Sequence, residues 1–155
     1  MAKPKGANLF KSLTTFGAVN TTLNDQEIKY LYELLFYLSD LQKKRDTKGF
    51  NILNKELKKF LKDEGVELDY KTVPNVHYDK NRIIFTGGGS VGYSLLRHIR
   101  NAFAHGGLIK EKNVFVIEDK YQGKITAYGR INHKLLFLLI DKIVRTKKIV
   151  KILNK

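Results

Sequence analysis

Two glycine clusters, Gly87-Gly88-Gly89 and Gly106-Gly107, constrain this chain more than any other feature. A helix does not run readily through either, so the segment between them must be one self-contained element of about four turns. Ser90 is a good N-cap for such a helix and Gly106 a good terminator. Leu95, Leu96, Ile99, Ala102 and Phe103 recur at helical spacing between them. The pattern predicts a helix from Val91 to His105.

The flanks read in the same way. Asn24 with Glu27 three residues later resembles a capping box, and Ile28, Leu31, Leu35, Leu38 and Leu41 carry a helical period on to Arg45. A second helix is expected over Asn51 to Lys62, its lysines 55, 58, 59 and 62 forming a solvated face. Pro74 interrupts any helix, and a short strand is expected over Arg82 to Phe85. Two strands, Asn113 to Asp119 and Lys124 to Arg130, are joined around Gln122-Gly123. Val114, Val116, Thr126 and Tyr128 give the alternation of a hairpin. A last helix starts near Asn132 and is apolar nearly all round at Leu135 to Ile140, as for burial in a core or at a subunit contact. The sum is a mainly α fold with a β-hairpin before the last long helix. With 155 residues it fits a single domain, 1–155, with 1–22 a loose arm and 146–155 a basic tail.

Composition narrows the chemistry. There is no cysteine, which excludes disulfide scaffolds, Cys-type zinc sites and thiol nucleophiles. No apolar run reaches the roughly 18 residues of a membrane span, and no secretory h-region is present. A cytoplasmic protein with no membrane partner is the expectation. Lys plus Arg number 29 against 15 Asp plus Glu, a formal net charge of +14. Such a charge attracts polyanions and makes any binding strongly salt-dependent.

Gly87, Gly89 and Gly92 match G-x-G-x-x-G, with Asp119 some thirty residues on. That string needs a parallel βαβ unit. Here mostly helical residues precede the strand and a hairpin follows the helix, so no dinucleotide cofactor is expected. No H-x-x-x-H or H-E-x-x-H pattern suggests a metal, and no G-x-S-x-G elbow surrounds Ser90 or Ser94. His77 and His133 read as structural or surface residues.

On a helical wheel, Ser94, Arg97, His98, Asn101 and His105 fall on one face of the predicted helix, with Arg100 on its flank. A histidine moves protons near neutral pH, and an arginine grips a phosphate and stabilises charge growing on it. Metal-independent RNA cleavage needs these groups. On geometry alone, a solvated polar face with His105 near a helix end is the simpler reading. A single helix also supplies only one half of an acid–base pair.

The string Leu96-Arg97-His98-Ile99-Arg100-Asn101-Ala102-Phe103-Ala104-His105-Gly106 resembles the R-x4-6-H signature of the HEPN superfamily (higher eukaryotes and prokaryotes nucleotide-binding domains). Arg100 and His105 match its R-x4-H form, and Asn101 its usual polar residue after the arginine. The resemblance implies a helical bundle with a β-hairpin inserted before the last helix. It implies a homodimer through the motif helix, with two arginines and two histidines in one composite site. Arg100 would then bind the scissile phosphate, His105 would serve in proton transfer or in positioning the 2′-OH, and Asn101 would support both. The substrate would be RNA, without a metal or cofactor, and the products a 2′,3′-cyclic phosphate and a 5′-OH. Such proteins commonly act as toxins or antiphage effectors held in check by a neutralising antitoxin partner. Arg97 and His98 lie outside the signature, and the helical wheel alone marks them as substrate-binding. Two other readings stay open at this point: a catalytically silent nucleic-acid-binding or regulatory subunit, and a basic membrane-surface protein.

Overall fold

The computed structural model describes residues 23–153, with side chains to Lys147. The expected arm over 1–22 lies outside the described residues, as do the side chains of tail lysines 148, 151 and 155.

Helix α1 spans Asp25–Lys43. The capping box closes as expected: Asn24 Oδ1 accepts from Glu27 N (2.8 Å) and Glu27 Oε1 from Asn24 N (2.9 Å). Glu27 also pairs with Lys110 (3.2 Å), both side chains being largely buried. Glu27 therefore caps its own helix and ties it to a strand 83 residues away. Asn24→Ala should cost about 1 kcal/mol, the ordinary value of a cap. Glu27→Ala should cost about 2–3 kcal/mol, because it also leaves Lys110 without its counter-charge. Thermal melts of the two variants check that order.

Helix α2 is Lys55–Glu64, starting later than the apolar spacing suggests. Asn51 binds Leu53 N and Asn54 caps the helix proper, so two asparagines turn these residues into a bend. Helix α3 is Val91–Ala104 and helix α4 His133–Leu153. Strands β1 (Glu67–Asp69), β2 (Arg82–Phe85), β3 (Leu108–Glu111), β4 (Val114–Tyr121) and β5 (Lys124–Asn132) form one sheet in the order β1-β2-β5-β4-β3. Only the β1–β2 pair is parallel. The two margins are short strands, three and four residues.

This overturns the expectation of a mainly α, HEPN-like helical bundle. The hairpin and the strand at Arg82–Phe85 are present, but they are the centre of a five-stranded mixed sheet in an α/β fold. β1 (Glu67-Leu68-Asp69) and β3 (Leu108-Ile109-Lys110-Glu111) escape sequence reading because each is short and at least half polar, without the apolar run of Arg82–Phe85. Their partners Arg82 to Ile84 and Val114 to Ile117 supply the pairing.

One face of the sheet carries Ile83, Phe85, Phe115, Ile117, Ala127 and Ile131 into a common core with the helices. Gly129 belongs to this face, where a Cβ would meet Ile83 at 2.7 Å. On α4, Leu136, Leu139, Ile140 and Ile143 are buried while Leu138 is about half exposed, so this helix has an outer side after all. Lys147 is no tail cation. Its Nζ donates to Asp46 Oδ1 (2.6 Å) and to the Lys48 carbonyl (2.6 Å), and it lies over the Phe50 ring.

The segment between β1 and β2 lies against the opposite face. His77 Nδ1 accepts from Asp79 N (3.2 Å), so Nε2 holds the proton and donates to the Tyr128 carbonyl (3.3 Å). This connection contains no helix, and β5 runs antiparallel beside β2. The parallel crossover that G-x-G-x-x-G requires is not built here.

Candidate active site

The end of α3 is fixed by its two glycines. His105 is the C-cap. Gly106, at φ +79°, donates to the Phe103 carbonyl, and Gly107 donates to that of Ala102 (2.7 Å). This is a Schellman closure, and it needs the left-handed residue that glycine supplies. Gly107 then meets β4: its carbonyl accepts from Glu118 N at 2.8 Å. The motif helix is thereby pinned one residue before Asp119.

Asp119 is the residue that organises the site. It is 5% exposed and shares the inner face of β4 with Phe115 and Ile117. Its Oδ2 lies 2.7 Å from His98 Nδ1 and accepts from Asn101 Nδ2 at 3.4 Å. The other ring nitrogen of His98, Nε2, lies 2.8 Å from the Thr86 carbonyl and 3.2 Å from the Thr86 hydroxyl. Both ring nitrogens thus have oxygen partners, so the ring is held at its two ends between β4 and the residue after β2. Two strands converge here because Thr126 is an extra residue in β5: the register shifts at Asp119/Lys120, the Thr126 hydroxyl binds the Asp119 carbonyl and its own carbonyl binds Thr86 N.

From this buried pair the network climbs to the surface. Asn101 Oδ1 accepts from Arg100 Nε (3.2 Å) and Nη2 (2.9 Å). Arg100 is half-buried and, among the described residues, no carboxylate pairs with it. Burial pulls its pKa down and the neighbouring Arg97 adds to this, while Tyr93 and Asp119 oppose it. Arg97 and His105 are exposed. The remaining N–H groups of Arg100, including the end-on fork, are free to grip an anion.

The helical wheel therefore splits in two. Arg97, Arg100 and His105 reach solvent, and Asn101 stands between them and the interior. Ser94 and His98 do not join them. His98 is 3% exposed, so the expected substrate-binding role is corrected: the sheet covers its ring. Ser94 turns to the glycine loop, its hydroxyl donating to the Gly88 carbonyl (3.0 Å). The wheel draws one polar face because it cannot know which polar side chains a neighbouring strand will satisfy. Asp119 escapes notice as a site residue because hairpin parity read through Val114 and Val116 puts 115, 117 and 119 on the wrong side.

No protein-family model, curated protein or solved structure matches the chain. Among the described residues no helix is long and apolar enough to cross a membrane.

Proposed function

We propose that this protein is a metal-independent endoribonuclease of the HEPN type, acting where two copies bring their α3 ends together. One observation carries the reading: Arg100 is a half-buried guanidinium held edge-on by Asn101, without a carboxylate among the described residues, on the same helix end as the exposed His105. A cation kept partly out of water and unneutralised is suited to an anionic ligand. In the reaction, O2′ of the RNA attacks the adjacent phosphorus and the P–O5′ bond breaks. One His105 takes the 2′ proton, the His105 of a second copy returns a proton to O5′, and the arginines offset the charge of the pentavalent transition state. A single chain supplies half of this set, which is the reason for the pairing.

The decisive experiment incubates the purified protein with RNA in excess EDTA. Cleavage leaving 2′,3′-cyclic phosphate and 5′-OH ends supports the enzyme. RNA binding without cleavage at any protein concentration supports the silent subunit, and binding to anionic vesicles but not RNA the membrane-surface protein.

RNA affinity should fall steeply with salt. Lys55, Lys58, Lys59 and Lys62 are exposed on one stripe of α2, without an ion-pair partner among the described residues. Changing all four to Gln should flatten the log K against log[salt] slope by at most about 3, at roughly 0.7 for each phosphate of a single strand that is no longer neutralised. kcat should stay unchanged, which separates bulk attraction from chemistry.

A further inference from the structure

We propose that Asp119 is a positioning residue for Arg100, acting through the Asn101 amide; this rests on the ribonuclease reading above. The carboxylate is buried beneath the helix and cannot touch a substrate. What it can do is choose the orientation of its neighbour. An asparagine amide has a donor end and an acceptor end of nearly equal shape. With its NH2 toward Asp119 Oδ2, Asn101 turns its carbonyl outward, where it accepts two N–H groups of Arg100. Flipped, the amide would set carbonyl oxygen against carboxylate and NH2 against guanidinium. Both contacts would then be repulsive, so the anion below decides how the cation above is presented.

The rest of the network serves the same end. His98 fixes the carboxylate from its other side and is itself held by the Thr86 carbonyl, and the extra residue at Thr126 brings β2 and β4 to the same point. Asn101 occupies Nε and one Nη2 hydrogen, which sets the plane of the guanidinium and leaves the end-on fork for a phosphate. A cation presented in one plane gains from preorganisation what a freely rotating one loses.

The test compares steady-state RNA cleavage by Asp119→Ala, Asp119→Asn, Asn101→Ala and the Asp119→Ala/Asn101→Ala double variant. Asp119→Ala should lower kcat about 10–100-fold with KM within about twofold, the scale of a misplaced catalytic group. Asp119→Asn, whose Oδ1 can take the place of the shared oxygen, should recover most of that loss. Adding Asp119→Ala to Asn101→Ala should cost nothing further. Multiplying effects, or a lower melting temperature with kcat intact, would overturn the proposal. Because Asp119→Ala leaves the buried His98 ring without its partner, the His98→Leu/Asp119→Leu pair removes both buried polar groups together and guards the fold. NMR of 15N-arginine-labelled protein gives a readout without activity. The Arg100 Nε–H signal should exchange slowly in the unaltered protein and quickly in both Asn101→Ala and His98→Leu/Asp119→Leu. If it stays slow in the latter, the positioning role fails whether or not the protein cleaves RNA. If it behaves as expected in a protein that leaves RNA intact, the ribonuclease reading fails and the positioning of Arg100 stands.

Discussion

Arg100→Ala should lower RNA cleavage about 10³-fold, roughly 4 kcal/mol of transition-state stabilisation, with the melting temperature nearly unchanged. The fold tolerates the change because the guanidinium reaches solvent and, among the described residues, hydrogen-bonds to Asn101 alone. Arg100→Lys should be nearly as damaging. An ammonium cannot take the Asn101 carbonyl along one edge and offer a flat fork along another. His105→Ala should cost about 10²–10⁴-fold, the usual range for losing an acid–base group. Combining it with Arg100→Ala should cost much less than the product of the two, since the groups act on one event. The proposal of a site shared by two copies allows a sharper test. Where protomers exchange, a tenfold excess of Arg100→Ala protein should leave about one wild-type protomer in eleven paired with its like, by mass action. Activity per wild-type protomer should fall by about the same factor. Activity that ignores the excess would place the whole site within one chain.

Gly107→Ala is the substitution expected to harm the fold most. A Cβ at this position would lie 1.9 Å from the Glu118 carbonyl oxygen, so α3 and β4 must part or their hydrogen bond must break. Overpacking against backbone has no flexible group to absorb it, and about 3–4 kcal/mol is a fair expectation. For a domain of this size that is a fall of about 10 °C in Tm. The adjacent Gly106→Ala should cost only about 1–2 kcal/mol, the penalty for a Cβ at positive φ. The two glycines look equivalent in the sequence but serve different purposes, left-handed backbone at one and close approach at the other. Melts within 2 °C of each other would show that the contact with β4 does not exist.

The elements legible in the sequence are those with local causes. The Asn24–Glu27 box, the glycine-bounded α3 and the hairpin closed by Gln122 and Gly123, both at positive φ, each depend on residues a few positions apart. The sheet is not legible, because its assembly depends on partners far along the chain: Ile83 against Gly129, Phe85 against Ala127. The same division runs through the site. Arg100, Asn101 and His105 lie within six residues and can be picked out together. Asp119 and Thr86 reach them only through strand pairing, and the extra residue at Thr126 that aligns them carries no sequence mark. Placing His98 on the open face is what comes of reading a helix without the strand beside it.

The brevity of β1 and β3 has a consequence for self-association. An outer strand of three or four residues exposes too few open peptide groups to template another chain, and here both carry charge, Glu67 and Asp69 at one rim, Lys110 and Glu111 at the other. Growth by edge-to-edge β addition is therefore disfavoured at both ends, and the pairing of copies proposed above would be made by side chains rather than by shared strands.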